Sequence, residues 1–103
     1  GGRDMAEIKV RRAATVANTP VILEFDVMGL QYLVKNHTDD YIHVAFKSNA
    51  TVDECVSIPP GCAQVLLVSK IVSADDGSKE VYVIPEGTSP DIERGVEAQC
   101  ILW

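Results

Sequence analysis

The sequence predicts an all-β domain: an antiparallel β-sandwich or jelly roll of about eight short strands, with a partly open barrel as the alternative. Three observations carry that expectation. Apolar and polar residues alternate with a period of two through much of the chain. The pattern is clearest in Val21–Met28, where Val21, Leu23, Phe25 and Val27 share one face and Ile22, Glu24, Asp26 and Met28 the other. Valine and isoleucine dominate the apolar residues, which suits a pleated, half-buried surface better than a helix. Turn chemistry separates the runs, at Asn18-Thr19-Pro20, Ile58-Pro59-Pro60-Gly61, Asp76-Gly77 and Ile84-Pro85-Glu86-Gly87.

Taken in order, Ala6–Arg12 sets Ile8 and Val10 against Lys9 and Arg11 and reads as a first strand. Ala13–Thr19 is weakly patterned and ends in a turn at Pro20. After the strand Val21–Met28, Gly29 marks a bend or bulge into Leu30. Leu30–Phe46 reads as a β-hairpin with one buried face, its strands joined by Asn36-His37-Thr38-Asp39-Asp40, so that Tyr32 and Val34 meet Ile42, Val44 and Phe46. Ser48–Asp53 is a polar loop. Glu54–Ile58 is a short strand stopped by Pro59 and Pro60, neither of which can donate to a ladder.

Ala63–Val68 is more continuously apolar than the other strands, interrupted only by Gln64, which predicts cover on both faces or packing against another subunit. Asp76-Gly77 is a two-residue hairpin signal between Ile71-Val72 and Val81–Ile84. Pro85–Pro90 is a loop, and Asp91–Gly95 is suited to one helical turn. In the final strand Val96, Ala98, Cys100 and Leu102 alternate with Glu97, Gln99 and Ile101, and the chain stays apolar to Trp103. A chain end frays unless tied down. Either this strand lies inside the sheet or Trp103 packs against another chain. The candidate interface is therefore Val65, Leu66, Leu67, Ile101, Leu102 and Trp103.

A chain of 103 residues that is 47% hydrophobic holds one two-layer core. The domain is assigned to residues 5–103, with residues 1–4 ahead of Met5 read as an expression-vector remnant. Met5 is not followed by the apolar stretch of a signal peptide, and no run approaches the ~20 apolar residues of a membrane span. The expectation is a soluble protein made in the bacterial cytoplasm. A net charge of −6 argues against nucleic acid, and the short basic run Lys9–Arg12 suits an edge strand or a solvated arm, with a small anionic contact as the sharper reading. Cys55, Cys62 and Cys100 are odd in number and lack Cys-x-x-Cys spacing, so reduced thiols are expected. A Cys55–Cys62 bridge depends on Cα distances that a sequence does not give.

No set of residues points to catalysis. Glu24 with Asp26, Asp39-Asp40, Asp53-Glu54 and Asp75-Asp76 fall in turns or on solvent faces. Asp75–Ser78 lacks the ligand spacing of a calcium loop. His37 falls in a turn and His43 on an outward strand face, too few ligands for zinc. Cys62 is exposed after Pro60-Gly61 but has no oxyanion-hole element beside it, and no Gly-x-Ser-x-Gly, P-loop or dinucleotide motif is present. No catalytic, cofactor-binding or metal residue is assigned.

The sequence from Leu30–Asn36 through a hydrophilic turn to Tyr41–Phe46, then the Ile58–Gly61 corner, Val81–Gly87 and the terminal Val96–Ile101, resembles small β-sandwich or jelly-roll structural proteins of phage and prophage gene clusters. The resemblance covers residues 21–102. It implies a virion component of the head-fibre, decoration, neck or tail accessory type, without turnover or cofactor. Such a component works by symmetric assembly as a trimer or ring, or with other virion proteins, and is carried in the virion. The alternative function is a small carbohydrate- or protein-binding module. Sugar stacking would then fall to Tyr41, Tyr82 or Trp103, because alternation turns Tyr32 inward.

Overall fold

The computed structural model describes residues 9–69 and 77–103. Within them lie eight strands: β1 (Lys9–Ala13), β2 (Val21–Gly29), β3 (Gln31–Asn36), β4 (Ile42–Ala45), β5 (Val56–Ile58), β6 (Ala63–Leu67), β7 (Ser78–Pro85) and β8 (Val96–Leu102). They form two four-stranded antiparallel sheets, β1-β8-β3-β6 and β2-β7-β4-β5, that pack face to face as a β-sandwich. The pairing is nested. The hairpin β4–β5 is the innermost pair, and outward from it β3 pairs with β6, β2 with β7 and β1 with β8. The ladders β3–β8 and β4–β7 complete each sheet.

The core comes from the inward positions of both layers, among them Leu23, Phe25, Tyr32, Val34, Ile42, Val44, Phe46, Ile58, Val81, Val83 and Val96. The alternation read in β2 holds: Leu23 and Phe25 are buried while Ile22, Glu24, Asp26 and Met28 face water. Tyr32 is the hub. Its ring meets Phe25 edge-on at 5.0 Å and stacks on Phe46 at 5.4 Å, and its buried hydroxyl donates to the Ser78 carbonyl at 2.5 Å. Gly29 makes that position available, because a Cβ there would overlap the Tyr32 ring. The expected irregularity at Gly29 is present as a register shift between Glu24 and Gly29 in the β2–β7 ladder.

Two sequence expectations need correction. Leu30–Phe46 is not a hairpin: β3 belongs to one sheet and β4 to the other, so Asn36–Asp40 is a corner between the layers. Tyr32 and Val34 do meet Ile42, Val44 and Phe46, but across the core rather than along a ladder. The fully buried Asn36 side chain braces the corner. Its Nδ2 donates to the carbonyls of Asp40 (2.7 Å) and Ile58 (3.0 Å), and its Oδ1 accepts from the Thr38 N–H (2.9 Å) and lies 2.7 Å from the Thr38 hydroxyl. The second correction concerns Ala63–Val68. Among the described residues this segment is not covered on both faces: β6 ends its sheet, Leu66 and the following Val68 point inward, and Val65 and Leu67 are exposed.

The remaining junctions follow the turn chemistry. Cys62 N–H bonds the Pro59 carbonyl at 3.2 Å around Gly61 at φ +71°, a turn of type II that lifts the chain from β5 into β6. Asp91 caps the 3-10 turn Ile92–Arg94 by accepting from the Glu93 N–H at 3.0 Å, matching the helical turn expected there. Of the expected Asp76-Gly77 hairpin and the strand from Ala6, residues 70–76 and 6–8 lie outside the described residues.

Candidate interface

The cross-strand registers lay out the outer face of the β1-β8-β3-β6 sheet in rows. Val10 stands opposite Gln99, Gln99 opposite Leu33 and Leu33 opposite Val65. In the next row Gln31 lies between Leu102 and Leu67. Of the six residues that sequence nominated, five are solvent-exposed: Val65 at 50%, Leu67 at 45%, Ile101 at 41%, Leu102 at 51% and Trp103 at 50%. Leu66 at 3% belongs to the core instead, because it shares the inward register with Tyr32. Leu30 adds to the same end of the sheet, its N–H bonding the Leu102 carbonyl at 2.7 Å. The final strand is therefore held inside the sheet between β1 and β3, and Trp103 still emerges into solvent.

A charged cluster borders this apolar surface. Arg12 Nε lies 3.0 Å from Glu97, Lys35 Nζ 3.4 Å and His37 Nε2 3.4 Å. Burial pushes the Glu97 carboxyl up, but the Arg12 hydrogen bond and the Lys35 and Arg12 charges outweigh it and hold the group below its ordinary range. The cluster pairs two cations with one carboxylate on a chain of net charge −6.

His43 lies on the outward face of the second sheet, as expected, yet it is buried. Its Nε2 is 2.6 Å from Glu86 and its Nδ1 2.7 Å from the Ser57 hydroxyl. A carboxylate only accepts, so Nε2 carries a proton, while the Ser57 hydroxyl can either donate to Nδ1 or accept from it. Sequence reading missed this set, which joins β4 to β5 and to the turn after β7. The donor order is that of a hydroxyl nucleophile with base and acid. It nonetheless occupies directly opposed positions of a ladder, His43 facing Ser57. A cleft of ≈ 400 Å³ between β2 and β7, lined by Glu24, Phe25, Met28 and Gly77–Glu80, includes none of the three.

Cys55, Cys62 and Cys100 are free thiols, and burial raises Cys55 and Cys100 away from the reactive thiolate form. Among the described residues no three His, Cys, Asp or Glu side chains converge to hold a metal ion. No helix of the described residues is long and apolar enough to cross a membrane. Tyr82, considered above for sugar stacking, is instead buried with Ala45 and Ala50 on the outer side of the second sheet. Comparison of the chain with protein-family models, curated proteins and solved structures returns no match.

Proposed function

We propose that the protein is a non-enzymatic assembly subunit that associates, through the outer face and open margin of the β1-β8-β3-β6 sheet, with further copies of itself. One observation carries this reading: Val65, Leu67, Leu102 and Trp103 are half-exposed apolar side chains on one sheet, with Leu67 and Leu102 flanking Gln31. Large apolar side chains grouped at one exposed end of a sheet mark an interaction site more often than they decorate a free monomer.

The nested pairing supports the setting. Strands 1 with 8, 2 with 7, 3 with 6 and 4 with 5, split between two sheets, is how we read a jelly roll, an architecture found in viral capsid and lectin domains. Analogy at the level of fold does not assign function. Together with the resemblance described above, it favours a phage- or prophage-derived virion component. The carbohydrate-binding alternative is left with Tyr41 and Trp103 as exposed aromatics, since Tyr32 and Tyr82 are both buried.

Sedimentation velocity and light scattering at micromolar concentration test the proposal. The expected result is a discrete oligomer that Leu67→Lys combined with Leu102→Lys weakens by about a hundredfold, with the melting temperature nearly unchanged. A strict monomer throughout the accessible concentration range would sink it.

A further inference from the structure

We propose that β6 pairs antiparallel with β6 of a second copy about a two-fold axis at Val65, joining two β1-β8-β3-β6 sheets into one continuous sheet. This rests on the assembly reading above and specifies how the subunits meet. Val68 N–H donates to the Leu30 carbonyl at 3.1 Å, and Asn36 N–H donates to the Cys62 carbonyl at 2.9 Å. Residues of that parity, Cys62, Gln64, Leu66 and Val68, therefore turn their peptide groups toward β3. Ala63, Val65 and Leu67 turn theirs the other way, where β6 ends the strand order and no described residue pairs with it.

The four sheet margins of the described residues differ in how they are protected. β1 carries Lys9, Arg11 and Arg12, and its Arg11 Nε donates to the Glu24 carbonyl of β2 at 2.9 Å. β2 carries Glu24 and Asp26 and an irregular register. β5 has only three residues and runs into Pro59 and Pro60. Charge, irregularity, shortness and proline are the devices that keep sheet edges from pairing. β6 has five residues and none of those devices: Ala63-Gln64-Val65-Leu66-Leu67 carries no charge, no proline and no bulge.

This strand also fits itself. With the axis at Val65, Val65 faces Val65 of the partner subunit, and Leu67 faces the small side chain of Ala63 of the partner subunit. The outward peptide groups of Ala63, Val65 and Leu67 then complete a ladder of about six hydrogen bonds. Leu66 stays in each core. An uncharged seam also gives two copies of net charge −6 the approach that costs least in repulsion.

Hydrogen exchange read at single amides, combined with sedimentation, tests the register on the unaltered chain. The Val65 and Leu67 amides are expected to exchange freely in dilute monomer and to become protected as the protein associates, with added salt favouring association. Val65→Pro removes an outward N–H only and is expected to weaken association by about a hundredfold while the fold persists. Val65→Thr, which keeps the N–H and the β-branch, is expected to leave association within about fivefold. An oligomer in which those two amides stay unprotected overturns the pairing and leaves assembly through the sheet face standing. Protection already complete in the dilute monomer overturns it as well, because the margin is then paired within the chain. A protein that never associates removes both readings.

Discussion

Asn36 is the residue whose replacement most directly tests the corner that carries the chain from one sheet to the other. Its amide serves four contacts, two at Oδ1 with Thr38 and two from Nδ2 to Asp40 and Ile58. Asn36→Ala leaves the Thr38 N–H and the Asp40 and Ile58 carbonyls without that partner. At about 1 kcal/mol for each bond lost, with more for a buried group stranded without water, the expected destabilisation is about 3–4 kcal/mol. For a domain of this size that lowers the melting temperature by roughly 12–30 °C. Asn36→Asp is expected to be worse than alanine near neutral pH, since a carboxylate would face two carbonyl oxygens that need donors. Its penalty shrinks on acidification, as the introduced carboxyl gains a proton it can donate. Urea unfolding followed by far-ultraviolet circular dichroism between pH 4 and 7 reads both variants. An aspartate variant as stable as the alanine variant at pH 7 would show that the amide donors do not hold the two layers together.

Two further expectations follow from burial and charge. Leu66→Ala is expected to cost about 2–4 kcal/mol through a core cavity, whereas Leu67→Ala in the same strand stays within about 0.5 kcal/mol in the monomer; equal losses in urea unfolding would contradict the inward and outward assignment of β6. Glu97 is held below its ordinary value of 4.5, so its contribution is complete above that pH and disappears as pH falls through the lower folded-state value. Acid unfolding of the native chain is therefore expected to lose stability across that window that Glu97→Gln does not lose, and parallel pH profiles would refute the network of Arg12, Lys35 and Glu97.

Side-chain direction was legible because it is a local property. The period of two in Val21–Met28 and in Val96–Cys100 assigns faces without any knowledge of neighbours, and Pro59-Pro60-Gly61 fixes a turn by its own φ preferences. Strand partnership is not local. Tyr32 and Val34 look the same to their own segment whether Ile42 and Val44 lie beside them in a ladder or opposite them across a core. The signal that separates the two was present in Asn36, which falls in register with Tyr32 and Val34 and so carries an amide into the interior. A buried amide demands several partners, and a corner with inward-turned carbonyls supplies them. His43 was hidden for the same reason: Ser57 and Glu86 reach it only through ladder and turn contacts distant in sequence.

Among the described residues β6 ends the β1-β8-β3-β6 sheet. Val65-Leu66-Leu67 invited a reading of cover on both faces because sequence does not show which strand ends a sheet. Once β6 is seen to be a margin, exposure of Val65 and Leu67 is a liability, since an uncharged, unbulged edge pairs with whatever strand it meets. The chain guards its other three margins with charge, register shift or brevity. Lysine in place of Val65 would protect the fourth without touching the core, because that side chain points to water. Val65→Lys is therefore expected to abolish the proposed strand pairing in sedimentation while urea unfolding of the monomer stays within about 0.5 kcal/mol.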